Sequence, residues 1–171
     1  MRIVLVAKPG HKDTGVGRYA RELSYAMIAH GHEVTIIHPI IPFPAFLLKS
    51  LKNLLNWDLQ AFFHTYPIWV HYPKADIYHL TSQNLATLMF FHPPPGKTLV
   101  TVHDIIPRHV QVDPNLNIYQ HKLTEFFDRL AMNGLQKVDG ILYVSVFSRQ
   151  IIEISLDLPA KIKKTIRLGV N

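Results

Sequence analysis

Arg2-Ile-Val-Leu-Val-Ala7, then Lys8-Pro-Gly-His-Lys-Asp-Thr-Gly-Val-Gly17, then Arg18-Tyr-Ala-Arg-Glu-Leu-Ser-Tyr-Ala-Met-Ile-Ala29 form the stretch that decides the fold of this chain. The first run is apolar and rich in β-branched residues. It is too short to span a membrane and has the length of a buried strand. The second is a polar loop with three glycines. In the third, Tyr19, Leu23, Ala26 and Met27 recur at helical spacing, with Arg18, Arg21 and Glu22 off that face, which predicts an amphipathic helix. Gly31 stands where a helix C-cap glycine belongs, and Glu33-Val-Thr-Ile-Ile-His38 predicts a second strand. Strand, glycine loop, helix and parallel strand make a βαβ unit, whose strands lie buried under helices.

A glycine loop that opens a helix has a chemical use. Glycines let backbone amides approach a phosphate, and the helix N-terminus behind them favours negative charge. Gly15 and Gly17 are therefore candidate phosphate or sugar contacts, the alternative being that they only shape a turn. Two nucleotide signatures fail here. Gly10 and Gly15 begin like a Walker A loop, but Val16 and Gly17 stand where Lys and Ser/Thr are needed. Gly15-Val-Gly17-Arg-Tyr-Ala20 fits G-x-G-x-x-A, yet a dinucleotide site needs a shorter loop and an acidic residue ending the second strand. His38-Pro39 ends it here, which disfavours an oxidoreductase.

The bulk properties bound the rest. A chain of 171 residues fits one domain with a real core. With 48% hydrophobic and 18% charged residues it is globular rather than disordered. The net charge of +6 favours an acidic partner without choosing among phosphate, nucleotide, nucleic acid and anionic membrane. The absence of cysteine excludes disulfides and thiolate metal sites. The N-terminus makes a poor signal peptide, because Lys8 and Pro9 interrupt its short apolar core. No stretch reaches ~18 uninterrupted apolar residues, so a cytoplasmic protein is expected. Lys and Arg are scattered rather than interleaved with aromatics, against a nucleic-acid module. The eleven histidines show no HExxH or equivalent helical pair, so no metal is expected.

Beyond the first unit, residues 45–63 predict one helix. It either packs on the sheet or, with Lys49 and Lys52 beside a broad apolar face, rests on an anionic membrane. Residues 75–80 and 98–103 predict the third and fourth strands, with a helix over 84–91 capped by Thr81 or Ser82. Residues 118–138 predict a long helix burying Leu123, Phe126, Phe127, Leu130, Ala131 and Leu135. Residues 139–144, a helix over 146–155 and residues 164–168 complete the pattern. In an open parallel sheet ligands sit beyond the C-terminal strand ends. His103 and Asp104, ending the fourth strand, therefore face the same crevice as the glycine loop, unless the imidazole is satisfied by backbone and the aspartate caps a turn. Ser145 is a helix cap that is also a candidate ligand contact.

Three groups of residues thus fall in one order. They are Gly15-Val-Gly17-Arg18-Tyr19 with Gly31-His32-Glu33-Val34; Val102-His103-Asp104-Ile105-Ile106-Pro107; and Val138-Asp139-Gly-Ile-Leu-Tyr-Val144-Ser145-Val-Phe147-Ser148 with Leu168-Gly169-Val170-Asn171. Together, over essentially all of residues 1–171, the sequence resembles the N-terminal half of a family 4 (group 1) retaining glycosyltransferase of the GT-B fold. The resemblance implies an α/β, Rossmann-like three-layer sandwich with a mainly parallel sheet, facing a second such domain across a cleft. It implies that this half holds the acceptor while the C-terminal domain holds a nucleotide sugar. By residue match, Gly15 and Gly17 would approach the donor diphosphate. Arg18 would lie near phosphate or acceptor, His103 would reach the transferred sugar as the catalytic residue, and Asp104 would line the acceptor side. The family generally needs no metal. Many members act on lipid-linked acceptors at the cytoplasmic membrane face, which fits the basic charge and the 45–63 helix. One departure is large: no glutamate here has another eight positions on, so the donor-domain Glu-x7-Glu motif is outside this chain. The isolated piece is expected to fold but not to transfer sugar. A stand-alone sugar- or phosphate-binding module, or one subunit of a two-chain transferase, is the rival expectation.

Overall fold

The computed structural model describes residues 1–9, 15–55, 57–103, 119 and 121–166. Six parallel strands form one sheet: β1 (Arg2–Val6), β2 (Glu33–Ile37), β3 (Ile77–Leu80), β4 (Lys97–Val102), β5 (Gly140–Tyr143) and β6 (Ile162–Thr165), in the order β2-β1-β3-β4-β5-β6. The chain steps from β1 outward to β2, then returns to β3 on the other side of β1. The direction of winding therefore reverses between β1 and β3. Right-handed crossovers put the helices of the two directions on opposite faces of the sheet. The chain is thus an α/β, Rossmann-like three-layer fold, with its switch point at the C-terminal ends of β1 and β3.

The period of two along each strand divides the sheet into two chemically distinct faces. Val4, Val6, Tyr78, Leu80, Val100, Val102, Ile141 and Tyr143 share one apolar face with Leu85, Leu88, Leu135 and Ile152. Register puts Leu5 beside His79 and His79 beside Leu99 on the other face, which Thr101 joins one pleat further along. That face is approached by α1 (Gly15–Ala29), whose Tyr19 hydroxyl lies 2.8 Å from Thr101 Oγ1. α1 ends as its sequence requires. Gly31 takes φ +78°. Its N–H reaches Ile28 O at 2.9 Å, and the N–H of His32 reaches Met27 O at 3.1 Å. This is the paired bonding of a Schellman stop.

Four elements differ from the sequence expectation. Residues 45–63 form two helices, α2 (Ala45–Leu55) and α3 (Leu59–Thr65). Asp58 breaks them apart by accepting the Ala61 N–H at 3.0 Å and the Lys52 ammonium at 2.6 Å, a helix start that competes with continuation. Phe62 of α3 is buried, whereas Phe46 and Leu54 of α2 are 74% and 79% exposed, so α2 does not pack on the sheet through them. Residues 83–91 begin as a tight 3₁₀ turn (Gln83–Thr87) before the single turn α4 (Leu88–Phe91). Neither expected cap operates there: Ser82 makes no capping bond, and Thr81 donates its hydroxyl to Val6 O at 2.9 Å, stitching β3 to β1. The long helix is α5 (Lys122–Gly134), closed by a 3₁₀ turn (Leu135–Lys137). Its buried stripe is Phe127, Asp128, Ala131 and Met132, while Leu123 and Phe126 are exposed, so the expected face is turned by about one residue. The last strand begins at Ile162, two residues before the expected 164, and runs to Thr165; residues 167 and 168 of the expected strand lie outside the described residues. α6 (Val146–Ser155) starts where expected, with Ser145 accepting the Ser148 N–H at 3.0 Å.

Candidate functional site

The tips of β1, β3 and β4 converge at the switch point, and two adjoining hollows open there. One, of about 180 Å³, is lined by Lys8 and Val16, by Ser82, Gln83 and Asn84, by His103, and by Tyr66 and Asp128 from the helical layer. The other, of about 320 Å³, is lined by Lys8, Pro9, Val16 and Gly17 against Ala61, His64 and Thr65. Lys8 and Val16 belong to both, so the segment leaving β1 and the first turn of α1 form the shared wall.

His103 is half-buried and follows β4 directly. Its Nε2 lies 2.8 Å from Thr81 O, and its own N–H donates to Gln83 Oε1 at 3.2 Å. A carbonyl only accepts, so Nε2 carries a proton, and in the Nε2–H tautomer Nδ1 is the lone-pair nitrogen. The Tyr19 ring stands edge-to-face on this imidazole, with centroids 4.9 Å apart at 85°. Behind it Tyr19, Thr101 and His79 form a buried chain, with Thr101 Oγ1 2.7 Å from His79 Nε2. Burial, reinforced by the nearby His103, holds His79 down at about 4, so it is neutral at physiological pH. Burial also raises the Tyr19 phenol above its ordinary range, so it stays a hydroxyl.

Asp128 is the buried carboxylate of the first hollow. Tyr66 donates to it at 3.3 Å and Tyr119 at 2.8 Å. Burial first, then the Asp128 charge, pushes the Tyr66 phenol well above its usual range; Tyr119 is raised by burial and its bond to Asp128. Both therefore remain O–H donors at any physiological pH. In the second hollow burial lowers His64, which favours a neutral ring there.

The structure brings His103 and Gly17 to neighbouring hollows that share Val16. Gly15 opens α1 and is exposed, and a methyl added there meets nothing within 4 Å. Arg18 is exposed on α1, and neither hollow has it in its wall. Ser145 also stands outside both walls. Its hydroxyl donates to Ser148 Oγ at 2.9 Å, and Ser148 donates to His103 O at 3.4 Å, so it braces the histidine's backbone. Asp104 lies outside the described residues. Lys8, Tyr19, Gln83 and Asp128 escape the sequence reading. Only Asp128 carries a signal there: a carboxylate beside Phe127 on an apolar helical stripe is an unusual core residue.

A parallel sheet with polar side chains gathered at its switch point defines an α/β domain of the Rossmann-like class. The family model described as Glycosyltransferase Family 4 matches residues 14–171. The chain belongs to glycosyltransferase family 4. Among solved structures it is similar to sucrose-phosphate synthase from Thermosynechococcus elongatus, at a TM-score of 0.61 and 14% identity over 99% of this chain and 48% of that one. A second structure of sucrose-phosphate synthase from the same organism aligns at a TM-score of 0.49 and 14% identity, over 100% of this chain and 91% of that one. This chain therefore spans about half the length of the first of these. No curated protein matches it.

Proposed function

We propose that this chain is the acceptor-side half of a nucleotide-sugar-dependent glycosyltransferase that moves a hexose with retention of configuration. The observation that carries this reading is the meeting of His103 with the Val16–Gly17 turn at the switch point, in a protein of family 4. In this reading the amides of Gly15 and Gly17, at the positive end of a 15-residue helix, face the donor diphosphate. His103 borders the sugar whose anomeric C–O bond breaks. The acceptor hydroxyl forms the new bond on the same face, and its proton leaves with the diphosphate. Arg18 and Asp104 belong to the acceptor side. No metal takes part, and the nucleotide is gripped by a C-terminal donor domain outside these residues.

Preorganised charge and hydrogen bonding stabilise a departing diphosphate, and the isolated half, lacking the donor side, is inactive. A lipid-linked or polysaccharide acceptor fits α2, where exposed Phe46 and Leu54 sit with Lys49 and Lys52 on a helix without acidic residues. Such a face rests on an anionic membrane at its cytoplasmic side. The test is His103→Ala in the protein joined to its donor half. Turnover should fall about 10²–10³-fold, the scale of losing one group placed at developing charge. Near-normal turnover would overturn the role of His103.

A further inference from the structure

We propose that His79 is a positioning residue for His103, acting through the hydroxyls of Thr101 and Tyr19 to hold the ring in the orientation in which the Thr81 carbonyl fixes its tautomer at the strand tips. The chain runs across two strands and one helix. His79 sits in the middle of β3 with no exposed surface. Its Nε2 is 2.7 Å from Thr101 Oγ1 on β4, and that oxygen is 2.8 Å from the Tyr19 hydroxyl on α1. Tyr19 is thus held at one end by the sheet while its ring abuts the imidazole, centroids 4.9 Å apart. On its other side His103 is held by the Thr81 carbonyl, and Thr81 is itself bonded to β1. The ring is gripped between two anchors that both originate in the central strands.

Thr101 has one hydroxyl proton and two lone pairs, so it donates to at most one of Tyr19 and His79 and accepts from the other or from both. In every arrangement Nδ1 of His79 is buried with no hydrogen-bond partner among the described residues. A buried polar nitrogen without a partner is destabilising, because it gives up its hydrogen bonds to water for nothing. A residue needed only for volume in the middle of a strand would be Leu or Phe, without that cost. Because burial keeps His79 neutral, no net charge enters the chain at neutral pH, and it acts by hydrogen bonding alone. The catalytic meaning of this device rests on the proposed role of His103; the geometric claim does not.

Long-range ¹H–¹⁵N spectra of the full chain, labelled on histidine, read the tautomer directly. His103 should show the well-separated nitrogen pair of a fixed Nε2–H ring. Thr101→Val keeps the shape and cuts both hydrogen bonds. Its His103 nitrogens should move toward a common average, and Thr101→Ser should restore the separation. Tyr19→Phe keeps the ring, removes the hydroxyl and should move the same signals in the same sense; it decides the matter if Thr101→Val does not fold. Unmoved His103 nitrogens in either folded variant overturn the proposal, since a role confined to packing lowers Tm and leaves the tautomer alone. Full turnover in His103→Ala would refute the proposed function and leave this spectral result standing.

Discussion

Gly134→Ala sets two opposing effects against each other, and their sizes fix the sign. Gly134 ends α5 at φ −62° and ψ −26°, an ordinary helical backbone that any residue adopts. On propensity alone alanine should stabilise the helix by about 1 kcal/mol. The added Cβ, however, would stand 2.2 Å from the Ala86 carbonyl oxygen and 2.9 Å from its carbon, inside the 3.0 Å that real Cβ atoms respect. The obstacle is backbone, so no rotamer change relieves it; the 3₁₀ turn Gln83–Thr87 must move away from α5. Overpacking of this kind costs about 1–3 kcal/mol. Taking the upper end, because backbone must shift, leaves a net loss of about 2 kcal/mol and a fall in Tm of about 4–8 °C for a chain this size. Urea unfolding followed by circular dichroism should show a midpoint lower by about 1 M with an unchanged slope. The turn that moves carries Gln83, which accepts the His103 N–H, so the amide resonance of His103 should shift as well. A variant as stable as the parent, or more stable, would refute the reasoning.

Other expectations follow from single contacts. Gly31→Ala should cost about 1–2 kcal/mol in the same urea assay, because the φ of +78° is left-handed and strained for any residue with a Cβ. Ser145→Ala should cost about 1 kcal/mol by uncapping α6, with Ser145→Asp close to neutral; no loss in the alanine variant would deny the cap. His79, at about 4 in the fold against an ordinary 6.5, makes the unfolded chain bind the extra proton between those values. Its contribution is therefore complete above about pH 6.5 and is lost as pH falls toward 4, by roughly 3 kcal/mol. His79→Phe should flatten that segment of the stability–pH curve, and an unaltered slope would contradict the burial of the ring.

The sheet was legible because its strands are short apolar runs separated by helical periods, and the βαβ start in residues 1–38 fixed the class. Helix phase was less so. In residues 118–138, phenylalanines at 126 and 127 both look buried, and only the Tyr66 and Tyr119 bonds to Asp128 show which stripe turns inward. The break at Asp58 depends on a cap formed by one carboxylate, which the periodicity of 45–63 overrides on paper. His103 could be found from its place at a strand end. Its support could not, since Tyr19, Thr101 and His79 meet only once β3, β4 and α1 are assembled, at sequence separations of 82 and 22 residues. His79 did carry a visible mark, a histidine within an otherwise apolar strand. Asp104 and the closing Leu168-Gly169-Val170-Asn171 lie outside the described residues.

An all-parallel ladder has no hairpin in it. β1 meets β3 through Ile3 opposite Ile77, so this pair cannot close until the more than seventy residues between them have been made. Every rung is non-local in this way, which places the domain among slow folders. Until then the Ile3–Val6 segment is a sticky strand with an open edge on the nascent polypeptide. The same winding order that gathers the polar groups of the two hollows at one rim thus gives β1 the longest wait of any strand for its inner neighbour.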